Sequence, residues 1–148
     1  MAIHAHVGRL LVHQLASEVA VECIRMAERI SGPGSEKRAD QLVRAAISIP
    51  SNIAEACGRG TLAEFRRFLV YARGSAQELR TQLEIAQRVD PKQQTQIKSL
   101  ESRVALVIKM EPILISVCES FFCHGKEGQE DDLRTGAAGP AAGGLQAA

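Results

Sequence analysis

The sequence predicts an all-α protein, an antiparallel up-down four-helix bundle followed by a disordered C-terminal tail. Four segments repeat apolar residues at three- and four-residue steps, the connections between them are short, and aromatic residues make up only 3% of the chain. A core of Ala, Leu, Ile and Val suits closely packed helices better than a β-sandwich, which relies on aromatic and β-branched pairs. We expect residues 1–123 to form the bundle and the Gly/Ala-rich residues 124–148 to form the tail.

The first helix is predicted to run from about Ala5 to Ile30. Its apolar stripe consists of Val12, Leu15, Val19, Cys23, Met26 and Ile30. The segment Ser-Gly-Pro-Gly at 31–34 should end the helix, because glycine provides a left-handed cap and proline cannot continue a helix. Ser35 then has the chemistry of an N-cap for the second helix.

The second helix contains a proline and should end near Gly58 and Gly60. Its inner stripe is Leu42, Ala46, Ile49, Ile53 and Ala56. Pro50 has no N–H to donate to the carbonyl oxygen of Ala46, so we expect a bend there. The side chains within reach of the freed backbone are those of Ser48, Ser51 and Asn52.

This proline segment has two interpretations. Its small residues allow a neighbouring helix to approach closely, so the segment can be a bent, tightly packed helix with an i,i+4 ion pair between Glu55 and Arg59. Alternatively, Ser48, Asn52, Glu55 and Arg59, which share one helical face, form a polar binding site. The candidate cluster for holding subunits together is Arg44, Ser48, Asn52 and Glu55.

The third helix should begin at Thr61, which forms a capping box with Glu64. Its stripe is Leu62, Phe65, Leu69, Ala72, Ala76, Leu79, Leu83 and Ala86. Asp90 and Pro91 start the fourth helix, whose stripe is predicted to be Ile97, Leu100, Val104, Val107, Leu114, Val117 and Phe121.

Both of these helices also carry apolar residues outside their inner stripes. They are Val70 and Tyr71 in the third helix, and Ala105, Leu106, Ile108, Ile113 and Ile115 in the fourth. A second apolar face usually marks a subunit interface, so we expect a homo-oligomer.

Composition excludes several classes of protein. Cys23, Cys57, Cys118 and Cys123 show no CxxC spacing, and no signal-peptide pattern precedes them, so we expect reduced thiols in a cytoplasmic protein. The longest apolar stretch, residues 104–115, is interrupted by charges and is shorter than the roughly 20 residues of a membrane span. The chain lacks the paired Glu-x-x-His motifs of di-metal bundles, a P-loop, GxGxxG and GxSxG. We therefore expect no metal, no cofactor and no enzymatic activity.

A family resemblance rests on the segment RAAISIPSNIAEACGRG at 44–60, followed by EFRRFLVYARGSAQEL at 64–79. Together they resemble the signature of the four-helix bundle proteins encoded in 23S rRNA intervening sequences. The matching positions are Arg44, Ala45, Ser48, Ile49, Pro50, Asn52, Ile53, Ala54, Glu55, Arg59, Glu64, Phe65, Phe68, Leu69, Ala72, Gly74, Ser75, Glu78 and Leu79. Ala56 stands where the family usually has glycine, and the resemblance is weak outside 41–86.

The resemblance implies a compact bundle that assembles into a ring-shaped homo-pentamer. It also implies a relation in fold to the accessory variability protein of diversity-generating retroelements, which binds a reverse transcriptase and nucleic acid. RNA, DNA and a reverse transcriptase are thus expected as candidate partners. Most family members have no assigned biochemical role, so the resemblance carries over no catalytic residue.

Arginines recur every seven residues around the third helix, and residues 36–80 carry eight basic and five acidic side chains. The candidates for phosphate contact are Arg59, Arg66, Arg67, Arg73 and Arg80. Successive arginines of such a row lie about 10 Å apart and could meet phosphates. Alternatively, the row is a solvated face with ion pairs such as Arg80 with Glu84.

The sequence therefore predicts a non-catalytic homo-oligomeric scaffold that serves as a nucleic-acid-binding accessory protein of a retroelement or an rRNA insertion. The alternative is a purely protein-binding oligomeric scaffold with no nucleic-acid role. The first predicts contacts to phosphates through arginines, and the second predicts subunit contacts around Asn52 and Glu55.

Overall fold

The computed structural model of the protein describes the backbone of residues 10–127 and the side chains of residues 10–120. Its helices are α1 (Leu11–Ala27), α2 (Ser35–Cys57), α3 (Leu62–Val89) and α4 (Gln94–Glu127), and the 3₁₀ turn Pro91–Gln93 precedes α4. The predicted all-α class is confirmed for these residues. The predicted start at Ala5 and the tail from residue 128 onward lie outside them, while residues 124–127 belong to α4. Within the described part, no helix is both long enough and apolar enough to cross a membrane.

The helices pack against each other in chain order, and α4 also packs against α1. Side-chain hydrogen bonds fix the relative direction of α2 and α3: Ser75 contacts Ser48, and Gln82 contacts Gln41. Residue numbers rise along one helix as they fall along the other, so the two helices are antiparallel. Short connections impose the same alternation on the other neighbours, and the predicted up-down bundle is confirmed.

Helix α1 ends at Ala27, earlier than predicted. The N–H of Arg29 donates to the carbonyl oxygen of Met26 at 3.0 Å, and the N–H of Ile30 donates to that of Ala27 at 3.2 Å. These i to i−3 bonds tighten the chain into a turn and satisfy carbonyls that the helix end leaves free. The predicted helical end at Ile30 is therefore wrong by three residues.

The N-cap of α2 is Gly34, and the predicted cap Ser35 is instead the first helical residue. Gly34 has a φ of 70°, in the left-handed region that glycine tolerates. Its carbonyl oxygen accepts from the N–H of Arg38 at 3.1 Å. The guanidinium of Arg38 donates to the carbonyl oxygen of Ser31 at 2.8 Å. Backbone conformation and this arginine organise the helix start without a side-chain cap.

Pro50 lies inside α2 without ending the helix. Polar side chains beside it bond to backbone carbonyls: Ser51 Oγ donates to Ile47 at 2.9 Å, and Asn52 Nδ2 donates to Ser48 at 2.8 Å. Pro50 leaves the carbonyl of Ala46 without its usual N–H donor, and these acceptors lie one and two residues after Ala46. The expected side-chain to backbone bonds are present, but on neighbouring acceptors.

The predicted inner stripes of α2 and α3 form the centre of the core. The buried stripe residues of α2 are Leu42, Ala46, Ile49, Ile53 and Ala56, and those of α3 are Phe65, Leu69, Ala72, Ala76, Leu79 and Leu83. Leu62 and Ala86, at the two ends of α3, are half-buried against this core. The Thr61 hydroxyl accepts from the N–H of Glu64 at 3.2 Å, which confirms the predicted cap of α3.

The inner stripe of α4 departs from the prediction in its second half. Ile97, Leu100, Val104 and Val107 are buried as predicted. The same spacing then places Glu111 and Cys118 inside the bundle, whereas Val117 is 46% exposed. The prediction that Val117 is a core residue is wrong, because the helical period continues even where it buries a charged residue. The side chain of Phe121 lies outside the described residues.

Glu111 is a carboxyl group in the core, with only 2% of its surface exposed. Its Oε1 atom has no hydrogen-bond partner among the described residues. Burial raises the pKa of this carboxyl to about 7, and the positive charge of Arg73 on α3 offsets part of that rise. The protonated and charged forms of Glu111 therefore coexist near neutral pH.

The three cysteines in the described part, Cys23, Cys57 and Cys118, are free and buried. Burial raises the pKa of Cys23 to about 12 and that of Cys57 to about 11. Both groups are therefore neutral thiols at physiological pH, which makes them poor nucleophiles.

Replacing Glu111 with Gln should remove a pH dependence of stability that the wild-type protein shows. The folded protein holds the Glu111 proton up to a pH of about 7, whereas an ordinary glutamate releases it near 4.5. Wild-type stability should therefore fall as pH rises from 4.5 to 7, by on the order of 3 kcal/mol relative to Glu111→Gln. Urea unfolding of both proteins between pH 5 and 8 measures the difference.

Glu101→Gln is the matched control, since Glu101 lies on the same helix but is only half-buried. This control should keep the wild-type dependence on pH. If the Glu111→Gln protein loses stability in parallel with the wild type, the buried carboxyl is not the source of the dependence.

Candidate functional site

Four of the five arginines singled out in the sequence lie on two sides of α3, and Arg59 follows the end of α2. Seven-residue spacing places Arg66, Arg73 and Arg80 on one face, whereas Arg67 is rotated from Arg66 by about 100°. Arg66 and Arg73 interact with carboxyl groups of α4. Arg67 instead approaches aromatic rings on the α2 side. Arg67 is adjacent to Arg66 in the sequence, but in the fold it lies apart from the row of Arg66, Arg73 and Arg80.

Two arginines of this row interact with acidic residues of α4. Arg66 forms an ion pair with Glu119, and the charge of Arg73 acts on the buried Glu111. The ion pair of Arg66 joins two helices that are adjacent in the bundle, so part of the positive charge of α3 is neutralised within the protein.

Among the described residues, no carboxylate pairs with Arg80. Its Nη1 atom lies 3.5 Å from Gln77 Oε1, which is a long contact. The predicted ion pair with Glu84 is not formed, because Glu84 pairs with Arg88 at 2.6 Å. An acidic residue that precedes its basic partner by four positions has the more favourable order in a helix, which explains this choice.

A cluster of arginines and aromatic rings lies where α3 meets the end of α2. The guanidinium carbon of Arg59 lies 4.4 Å from the ring centre of Phe68, and that of Arg67 lies 5.6 Å from the ring centre of Tyr71. The two rings are 5.7 Å apart in an edge-to-face arrangement. The predicted ion pair between Arg59 and Glu55 is confirmed.

Sequence reasoning missed this cluster, because it considered Arg59 and Arg67 only as partners for phosphate or carboxylate groups. The available signal was the three-residue spacing of Phe68 and Tyr71 on one helix, with Arg67 adjacent. The participation of Arg59 depends on how the end of α2 packs against α3, which local spacing does not reveal.

A polar network joins α2 to α3 next to this cluster. Asn52 Nδ2 donates to Ser48 Oγ at 3.0 Å as well as to the Ser48 carbonyl oxygen. Ser75 Oγ lies 2.9 Å from Ser48 Oγ and 3.1 Å from the carbonyl oxygen of Tyr71. Since the network contains only hydroxyl, amide and carbonyl groups, it supplies hydrogen bonds and orientation rather than a titratable acid or base.

The predicted cluster of polar residues on α2 is only partly brought together. Ser48 and Asn52 share the network, while Glu55 is held by Arg59, and Arg44 lies 3.8 Å from Asp40. An open depression of about 400 Å³ lies beside the network, lined by Arg44, Ala45, Ile47, Ser48 and Glu78. Across the described residues, no three His, Cys, Asp or Glu side chains converge on a possible metal position.

Replacing Ser75 with Ala should destabilise the bundle by about 1 kcal/mol, because the hydrogen bond between α2 and α3 is lost. Ser102→Ala is the matched control, since the Ser102 hydroxyl donates to the Lys98 carbonyl oxygen of its own helix. This control should be neutral or slightly stabilising. Urea unfolding at one fixed protein concentration measures both; equal effects would show that the Ser48–Ser75 contact contributes nothing.

Comparison with known structures supports the fold. A crystal structure of a protein with unknown function, from the S23 ribosomal protein family of Bacteroides thetaiotaomicron, superposes with a TM-score of 0.64. The two sequences are 24% identical, and the match covers 71% of this chain and 98% of that one. At this identity the likeness shows a shared fold alone. No curated protein matches the chain.

The sequence of the chain matches the profile of one protein family. This family, described as 23S rRNA-intervening sequence protein, matches residues 8–111, which is more than two thirds of the chain. The match spans α1, α2, α3 and the first half of α4. It includes the proline segment and the serine network, and it confirms the resemblance carried by residues 44–79. The chain belongs to the 23S rRNA-intervening sequence protein family.

Proposed function

We propose that the protein is a non-catalytic scaffold that acts as a homo-oligomer. The observation that carries this proposal is apolar surface left exposed on two separate parts of one bundle. The first part is the α4 stripe, which we define as Leu106, Met110, Ile113 and Val117; Met110 is half-buried and the other three are exposed. Their 4-3-4 spacing places them on one helical face. The second part is the α2–α3 face, where Ile47 and Tyr71 are exposed.

The two surfaces point in different directions. Helix α4 packs against α1 and α3, so it lies diagonally across the bundle from α2. Two different surfaces on one chain favour head-to-tail contacts between copies, and such contacts close into a ring when the rotation allows it. The homo-pentamer expected from the family resemblance is one ring of this kind.

Size measurement tests the proposal. Light scattering coupled to size exclusion should give a mass several times the 16.0 kDa of one chain. Because burial of apolar surface drives the association, the assembly should persist in about 1 M salt, where surface ion pairs are screened. A single species of 16.0 kDa at high micromolar concentration would rule the scaffold out.

A second function, contact with RNA phosphates, is favoured by the arginines that the fold leaves uncompensated. Arg67 and Arg80 form no ion pair with any described residue. Both are exposed, and a ring would repeat them once per subunit. The family description refers to 23S rRNA, which makes RNA the first ligand to test. A reverse transcriptase as partner stays a prediction.

The double change Arg67→Ala with Arg80→Ala should weaken binding of single-stranded RNA by about tenfold or more at low salt, and it should reduce the salt dependence of binding. Arg66→Ala is the control, since Glu119 already compensates this arginine and its loss should matter less. Filter binding over a salt series measures both. No binding by the wild-type protein at about 50 mM salt would favour the purely protein-binding scaffold instead.

A further inference from the structure

Gly74 is a glycine that the fold of one chain does not require. It lies in the interior of α3, is exposed, and is not among the glycines with positive φ. A Cβ atom added there would meet nothing within 4 Å. Glycine at such a position costs about 1 kcal/mol relative to alanine. This cost is offset where another backbone must approach closely, because glycine has no side chain in the way.

Gly74 lies on the exposed face of α3, one helical turn from Glu78, which lines the depression between α2 and α3. Tyr71 precedes Gly74 by one turn, Glu78 follows it by one turn, and Ser75 lies beside it within the network to Ser48. The depression between α2 and α3 opens next to this position and is bordered by Glu78 and Ile47. We call the exposed surface around Gly74, together with this depression, the Gly74 groove; it combines small residues with an aromatic side chain, an aliphatic side chain and a carboxylate.

The α4 stripe has the complementary shape. Leu106, Ile113 and Val117 stand on the outside of the bundle, with Ile113 62% exposed, while Met110 is half-buried. A row of side chains along one helix packs well into a groove where the facing helix has small residues, because the two helix axes can then come close together.

The two surfaces also carry opposite charges. Glu78 beside the groove and Lys109 beside the α4 stripe are exposed and form no ion pair within the described part of the chain. Glu78 follows Gly74 by four residues, and Lys109 precedes Ile113 by four. If the two helices cross in antiparallel directions with Ile113 over Gly74, Lys109 lies next to Glu78.

We propose that the α4 stripe of one copy packs into the Gly74 groove of the next copy, with Ile113 over Gly74 and Lys109 beside Glu78. The inference rests on the proposed self-association and names the surfaces that meet. Each chain then offers a stripe at one side and a groove at the other, so the contact is head-to-tail.

The test uses two variants that each damage one surface. Gly74→Gln fills the groove, and because glutamine favours helix, the bundle should be at least as stable as the wild type. Ile113→Glu spoils the stripe at an exposed position. In sedimentation experiments, each variant alone should self-associate with at least tenfold lower affinity than the wild type. An equimolar mixture should form a pair of chains and stop there, because only one intact stripe and one intact groove can meet.

The outcomes separate this inference from the proposed function. A monomeric wild-type protein would overturn both. A wild-type oligomer whose assembly survives Gly74→Gln and Ile113→Glu would overturn the inference alone, as would two monomeric variants whose mixture stays monomeric. Charge exchange gives an independent check: Glu78→Lys and Lys109→Glu should each weaken assembly severalfold, and the double variant should recover it. Absence of recovery would contradict the predicted crossing.

Discussion

Burial of one apolar stripe from each of four helices is the constraint on which the rest of the structure depends. Because the apolar residues alternate at three- and four-residue steps, each stripe stays on the side of its helix that faces the bundle axis and the antiparallel neighbours. Small residues contribute much of the core where α2 meets α3, among them Ala46, Ala72 and Ala76. Because small side chains let backbones approach closely, the same boundary brings Ser48 and Ser75 within hydrogen-bond distance.

The same constraint explains the buried carboxyl group of α4. Turning Glu111 toward solvent would rotate the helix and expose Val107 and Cys118, which share its stripe. Retaining the stripe leaves a carboxyl in the core, and protonation lowers the cost of burying it. The packing of the helix and the protonation of one side chain are therefore linked.

The outer surface follows once the inner stripes are fixed. Rotation by about 100° per residue carries Arg66 and Arg73 toward α4 and leaves Tyr71 and Gly74 facing solvent. Glu119 of α4 neutralises Arg66, so charge counted along the sequence overstates what a phosphate would meet. Helix α4 has apolar residues on two faces, and only one of them fits inside the bundle.

Periodicity by itself determined the all-α class, the four helices, the core stripes of α2 and α3, and the cap at Thr61, because these depend on residues three or four positions apart on one helix. The family resemblance was likewise readable from one continuous segment. Contacts between helices decided the rest. The pairing of Arg66 with Glu119 and of Ser48 with Ser75 joins residues far apart in the chain, and the approach of Arg59 to Phe68 depends on how α2 meets α3. Local spacing places a side chain on a face, but only the packing of neighbouring helices determines what that face meets.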